Sequence, residues 1–154
     1  MRKAFIITGV ALACLAGAAG AQDSGTISPQ QAIAARKAGM QMSGAIMASM
    51  KAGIDASASP RAQAFPAGAL TRWARAMPGL FPEGSGAGGS GGMTGAKAEI
   101  WANRADFDAK AEAYAAAAMR LQELARADDA AGFAAQWTVV RASCQACHDV
   151  YKAD

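Results

Sequence analysis

At 154 residues the chain has the length of one domain, enough for three or four helices around a core and too short for a doubly wound sheet with a separate substrate domain. Hydrophobic residues make up 53% and charged residues 18%, which excludes the disordered and collagenous classes. The formal charge of +3 is scattered along the chain, so neither a nucleic-acid footprint nor a polybasic membrane patch is present.

Residues 1–21 read as a secretion signal peptide. Met1-Arg2-Lys3 is a short positive segment, Phe5, Ile6, Ile7, Val10, Leu12 and Leu15 supply the apolar stretch, and Ala19-Gly20-Ala21 fits the small-x-small rule for a cut before Gln22. A membrane anchor is the alternative, because Ala4 to Ala21 reaches the lower edge of spanning length. The small-residue end and the polar Gln22-Asp23-Ser24 favour cleavage. A lipoprotein leader at Cys14 would want a larger aliphatic residue where Ala11 stands. Cleavage leaves 13 basic against 12 acidic side chains, a charge of +1, and only two cysteines, Cys144 and Cys147. Residues 22–154 then form one domain, exported to a bacterial periplasm, with no integral membrane segment.

The rest reads as helix. Ser28 can cap, Pro29 suits the first helical position and Gln31 completes a capping box; Ile33, Met40, Met47 and Ile54 then recur every seven residues, with Met50 on the same side, over residues 29–54. Leu70, Trp73 and Met77 mark a second helix over 62–77, with Pro66 near its first turn or breaking it and Pro78 as its stop. Between 83 and 95 seven of 13 residues are glycine. Gly84-Ser85-Gly86-Ala87-Gly88-Gly89 formally matches G-x-G-x-x-G but follows no strand, so the segment reads as a flexible surface loop rather than a phosphate cradle. Ile100, Phe107, Tyr114 and Leu121 define a third helix over 97–126, rich in alanine. After Asp128-Asp129, which can cap, Phe133, Trp137, Val140, Cys144, Cys147 and Tyr151 alternate by four and three in a fourth. The expected fold is all-α, an antiparallel four-helix bundle.

Chemistry concentrates in Cys144-Gln145-Ala146-Cys147-His148. C-x-x-C-H is the attachment signature of a c-type haem: two thiols that can add to the vinyl groups and an adjacent imidazole for the iron. Cys144, Cys147 and His148 share one helix face. Zinc would need further ligands that the chain lacks, and a redox dithiol would want a βαβ setting. A plain disulfide would leave the seam without a cofactor. No acid-base pair or activated nucleophile suggests an enzyme.

On these residues the sequence resembles the class II c-type cytochromes, comprising cytochrome c′ and its low-spin relative cytochrome c-556. The resemblance runs from about Ser28 to Asp154 and rests on the attachment motif near the C-terminus, followed by Tyr151-Lys152. Leu80-Phe81-Pro82 and Ile100 to Asp108 look like the loop and third helix of the low-spin branch, and Arg36-x-x-x-Met40 looks like the distal-side segment. The resemblance implies a four-helix bundle with one covalent haem c and His148 as proximal ligand.

Two residues of the first helix bear on the site. Arg36 puts a charge in an apolar stripe, where a haem propionate would supply the missing anion; snorkelling to solvent is the alternative. Met40, placed like the iron ligand of the low-spin relatives, would make the protein a one-electron carrier serving periplasmic redox partner proteins. The alternative is a five-coordinate cytochrome c′ in which Met40 packs over the iron and nitric oxide or carbon monoxide binds. Trp73, Trp101, Trp137, Phe107 and Tyr114 read as packing residues rather than an electron relay. The first two helices offer a possible homodimer face.

Overall fold

The computed structural model describes residues 27–153; the signal expected at residues 1–21 lies outside them. Helix α1 spans Pro29–Asp55 and begins as its sequence predicts: Gln31 N–H donates to Ser28 Oγ at 3.2 Å, and Ser28 N–H donates to Gln31 Oε1 at 3.0 Å. Helix α2 spans Ala64–Ala76, between 3₁₀ turns at Pro60–Gln63 and Met77–Leu80. Pro66 falls in its first turn, where a missing N–H is tolerated.

The single third helix expected over 97–126 is interrupted. One turn, α3 at Glu99–Ala102, stops at Asn103, and the long helix α4 runs Arg104–Ala127. Asn103 leaves helical geometry (φ −121°, ψ 48°), a conformation open to a residue with weak helix propensity. The break lets Trp101 Nε1 donate to the Phe81 carbonyl at 3.2 Å and Arg104 reach back to the Pro78 carbonyl, also at 3.2 Å. Helix α5 spans Ala130–Tyr151, and Asp129 caps it through Gly132 N–H at 2.9 Å.

The four long helices α1, α2, α4 and α5 form the bundle, and no strand occurs among the described residues. Helix α4 packs along both α2 and α5, whereas α1 meets its neighbours less closely. Leu70, Phe107, Leu121, Phe133 and Val140 are fully buried at the shared centre. Where α1 stands off, its apolar stripe is left open: Met50 is buried, but Met40 is 37% exposed.

The glycine segment lies on the surface, as its composition suggests, with most of its residues exposed, but it is anchored: Ser85 is fully buried, and Ala96, just past its end, is in the core. Gly86 packs so closely that a Cβ there would lie 2.6 Å from the Trp101 ring. Ala87 N–H donates to the Ala96 carbonyl at 2.9 Å, closing the segment on itself. Several of its glycines serve close packing rather than mobility.

Candidate functional site

Two adjoining cavities, of about 280 and 300 Å³, open between α1 and the α4–α5 pair. Together they reach the size of ordinary small-molecule and cofactor sites, ~300–1,000 Å³. Met40, Met77, Cys147 and His148 line both; Cys144, Met47, Tyr114 and Trp137 line the first, and Arg36, Phe81, Phe107 and Tyr151 the second.

Helix α5 delivers the reactive groups. Positions 144, 147 and 148 lie within little more than one turn, so the i, i+3, i+4 geometry turns all three toward the cavities. Both thiols are free and half-buried, and burial pushes each above the ordinary thiol pKa. His148 is open on one side; desolvation on the other, and then the Lys152 charge, hold its imidazole below the usual histidine value. Neutral imidazole is the form that ligates metal. Trp137 fixes the helix beside the cavity, its Nε1 donating to the Met47 carbonyl of α1 at 3.0 Å. Burial pushes the Tyr114 phenol well above its ordinary range.

The structure brings Cys144, Cys147, His148 and Met40 to one place. Arg36 lines the second cavity, where a haem propionate could reach it, and its protein partners all come from the segment between α2 and α3. It is 3% exposed, which overturns the snorkelling alternative. Its guanidinium donates to the Leu80 carbonyl at 3.2 Å, Ser85 Oγ at 2.8 Å, Thr94 Oγ1 at 2.7 Å and the Ser85 carbonyl. It also lies 4.7 Å above the Phe81 ring. Its four terminal N–H groups are thus engaged by the glycine loop and by the 3₁₀ turn before it. Lys110 and Arg141 also line the first cavity and were not singled out from the sequence. Their spacing carried the signal: Arg141 stands four residues after Trp137 and three before Cys144, and Lys110 stands between Phe107 and Tyr114 on the same stripe.

A porphyrin fits this donor set: an apolar slot edged by two free thiols and an imidazole, with no other cysteine, histidine or carboxylate lining either cavity. Among the described residues, no cluster of three or more His, Cys, Asp or Glu side chains offers a separate metal site. Fold and site together define a helical-bundle cytochrome with its attachment motif in the last helix. The model of the family described as Cytochrome C′ matches residues 31–152, and the chain belongs to that family. Members carry one covalently attached haem c, and that is the cofactor of this chain.

Solved structures agree. The crystal structure of cytochrome c′ from Thermochromatium tepidum is similar at 27% identity and a TM-score of 0.78, covering 84% of this chain and 100% of that one. A cytochrome c′ described as having an unusual ligand-controlled dimer dissociation is similar at 26% identity and a TM-score of 0.77, with the same coverage. A nitric oxide complex of a variant cytochrome c prime from Alcaligenes xylosoxidans shares the fold at 23% identity and a TM-score of 0.74, again covering 84% and 100%. No curated protein matches the chain.

Proposed function

We propose that this chain is a five-coordinate cytochrome c′ that binds nitric oxide or carbon monoxide, exported to the periplasm after loss of residues 1–21. Cys144 and Cys147 are its thioether positions, each adding its S–H across one vinyl group of the porphyrin, and His148 is the proximal ligand. When bound, the haem supplies an iron with one axial position open to a diatomic gas.

The observation that carries this reading is the match to cytochrome c′ over residues 31–152. Another supports it: Met40 faces the cavities as a neutral apolar side chain, suited to pack over the iron and keep water away. The nitric oxide complex of a protein with the same fold is consistent with this choice. Electron transfer to redox partner proteins is the function that a low-spin form would have.

Among the described residues no helix is long and apolar enough to cross a membrane, which suits the exported form. A homodimer through α1 and α2 is compatible with the dimer of one structural relative.

The test is the visible spectrum of protein matured with the haem-attachment machinery. Colour surviving acid-acetone extraction, a high-spin ferric form, and ferrous protein that binds carbon monoxide with Met40 intact are expected. Met40→Ala should speed gas entry without changing the spin state. A low-spin ferric form with a sulfur-to-iron charge-transfer band, lost in Met40→Ala, would transfer the assignment to the electron carrier.

A further inference from the structure

We propose that Arg36 is a positioning residue that pins the glycine loop across one side of the haem cavity, making the loop a fixed wall between α1 and the C-terminal end of α5. The identity of the cavity's occupant rests on the reading above; the pinning rests on the loop's own contacts.

A guanidinium buried in an apolar seam is costly unless its donors are satisfied. Here they are satisfied by neutral groups lying 44 to 58 residues further along the chain: the Leu80 and Ser85 carbonyls and the hydroxyls of Ser85 and Thr94. Hydrogen bonds from a charged donor are about twice as strong as neutral ones, so a single side chain holds both limbs of the loop. Gln30 adds a tie from the same helix, its Nε2 donating to the Ser90 carbonyl at 2.9 Å.

The other end of the loop is fastened to α5. Ala153 N–H donates to the Gly95 carbonyl at 2.8 Å and Lys97 N–H to the Tyr151 carbonyl at 3.0 Å, just beyond His148. Between these fastenings Thr94, Gly95 and Ala96 line the second cavity together with Arg36 and His148. The loop therefore spans from the helix that bears Met40 to the helix that bears His148. If it loosens, water enters at the cavity edge.

The experiment uses the haem-loaded protein and compares wild type with Ser85→Ala, Thr94→Val and Arg36→Lys, reading amide exchange in the loop and the reduction potential. Exchange at Ala87 and Ala153 is expected to rise about tenfold or more in each variant, as loss of a hydrogen bond to a charged group implies, with Leu121 in the core unaffected. The potential should fall in all three, because solvent exposure stabilises the oxidised, more highly charged haem. Arg36→Lys keeps the charge but not the four-way fork, so failure to restore the wild-type values separates pinning from a purely electrostatic role. Unchanged loop exchange in Ser85→Ala and Thr94→Val would overturn the proposal. So would a potential that moves only when position 36 is changed. Should Arg36→Lys fail to fold, the other two variants decide. Wild type lacking covalent haem would instead sink the functional reading, and loop exchange would still report on the pin.

Discussion

Gly39 of α1 lies against the six-membered ring of Trp73 of α2, so close that a Cβ at position 39 would overlap ring atoms Cζ3 and Cη2. The glycine is what lets α1 approach α2 here, although α1 stands off from the rest of the bundle.

Gly39→Ala should therefore destabilise. Glycine to alanine inside a helix normally gains about 0.5–1 kcal/mol. Overpacking costs about 1–3 kcal/mol, which outweighs that gain. Gly53→Ala in the same helix, where the new methyl meets only Gln63 Nε2 at 3.5 Å, should stabilise. Urea midpoints of opposite sign for the two variants are the expected result; a stabilised Gly39→Ala would refute the contact.

Phe107 is the hub of the aromatic cluster at the second cavity. Its ring centroid lies 4.9 Å from that of Phe81 and 5.3 Å from that of Tyr151, both edge-on. Phe107→Ala should cost about 3–5 kcal/mol, read from the denaturation midpoint of the haem-loaded protein. A loss within the error of the midpoint would show that the site collapses and refills.

Asp128 joins the turn after α4 to the segment before α2. Its carboxylate accepts from Ser59 Oγ at 2.6 Å and from Arg61 N–H at 3.1 Å, and the Ser59 bond first of all holds its pKa below the ordinary value. A depressed carboxyl contributes stability that is present above the unfolded-state pKa and is lost as pH falls through the folded value. Asp128→Asn, which tolerates the left-handed backbone at this position (φ 58°), should be less stable than wild type near neutrality. The gap should close in acid. A constant gap across the pH range would rule out the charge as its cause.

Tyr151 Oη donates to Asp106 Oδ2 at 2.5 Å, and this bond is the largest cause of the lowered Asp106 pKa, ahead of Lys110 at 3.4 Å. Tyr151→Phe should raise the Asp106 pKa toward its ordinary value, followed by carbon-13 NMR of the side-chain carboxyl. No change would mean that Lys110 alone sets it.

What the sequence determined by itself is local. The Ser28 cap, the tolerance of Pro66 in a first turn, the Asp129 cap and the shared face of Cys144, Cys147 and His148 all follow from contacts three or four residues apart, which helix geometry makes predictable from spacing. The alternating stripes of α4 and α5 were legible for the same reason. The break at Asn103 was not, because Phe107 continues the heptad across it while the contacts that the break permits lie at Pro78 and Phe81, about two dozen residues away. The glycine loop and Arg36 show the same division more sharply. Composition describes a loop that can be mobile, and an isolated cation in an apolar stripe describes a charge in need of a partner. Only the tertiary fold decides that each answers the other, because which carbonyls and hydroxyls meet a guanidinium depends on how α1, the loop and the end of α5 come together in space.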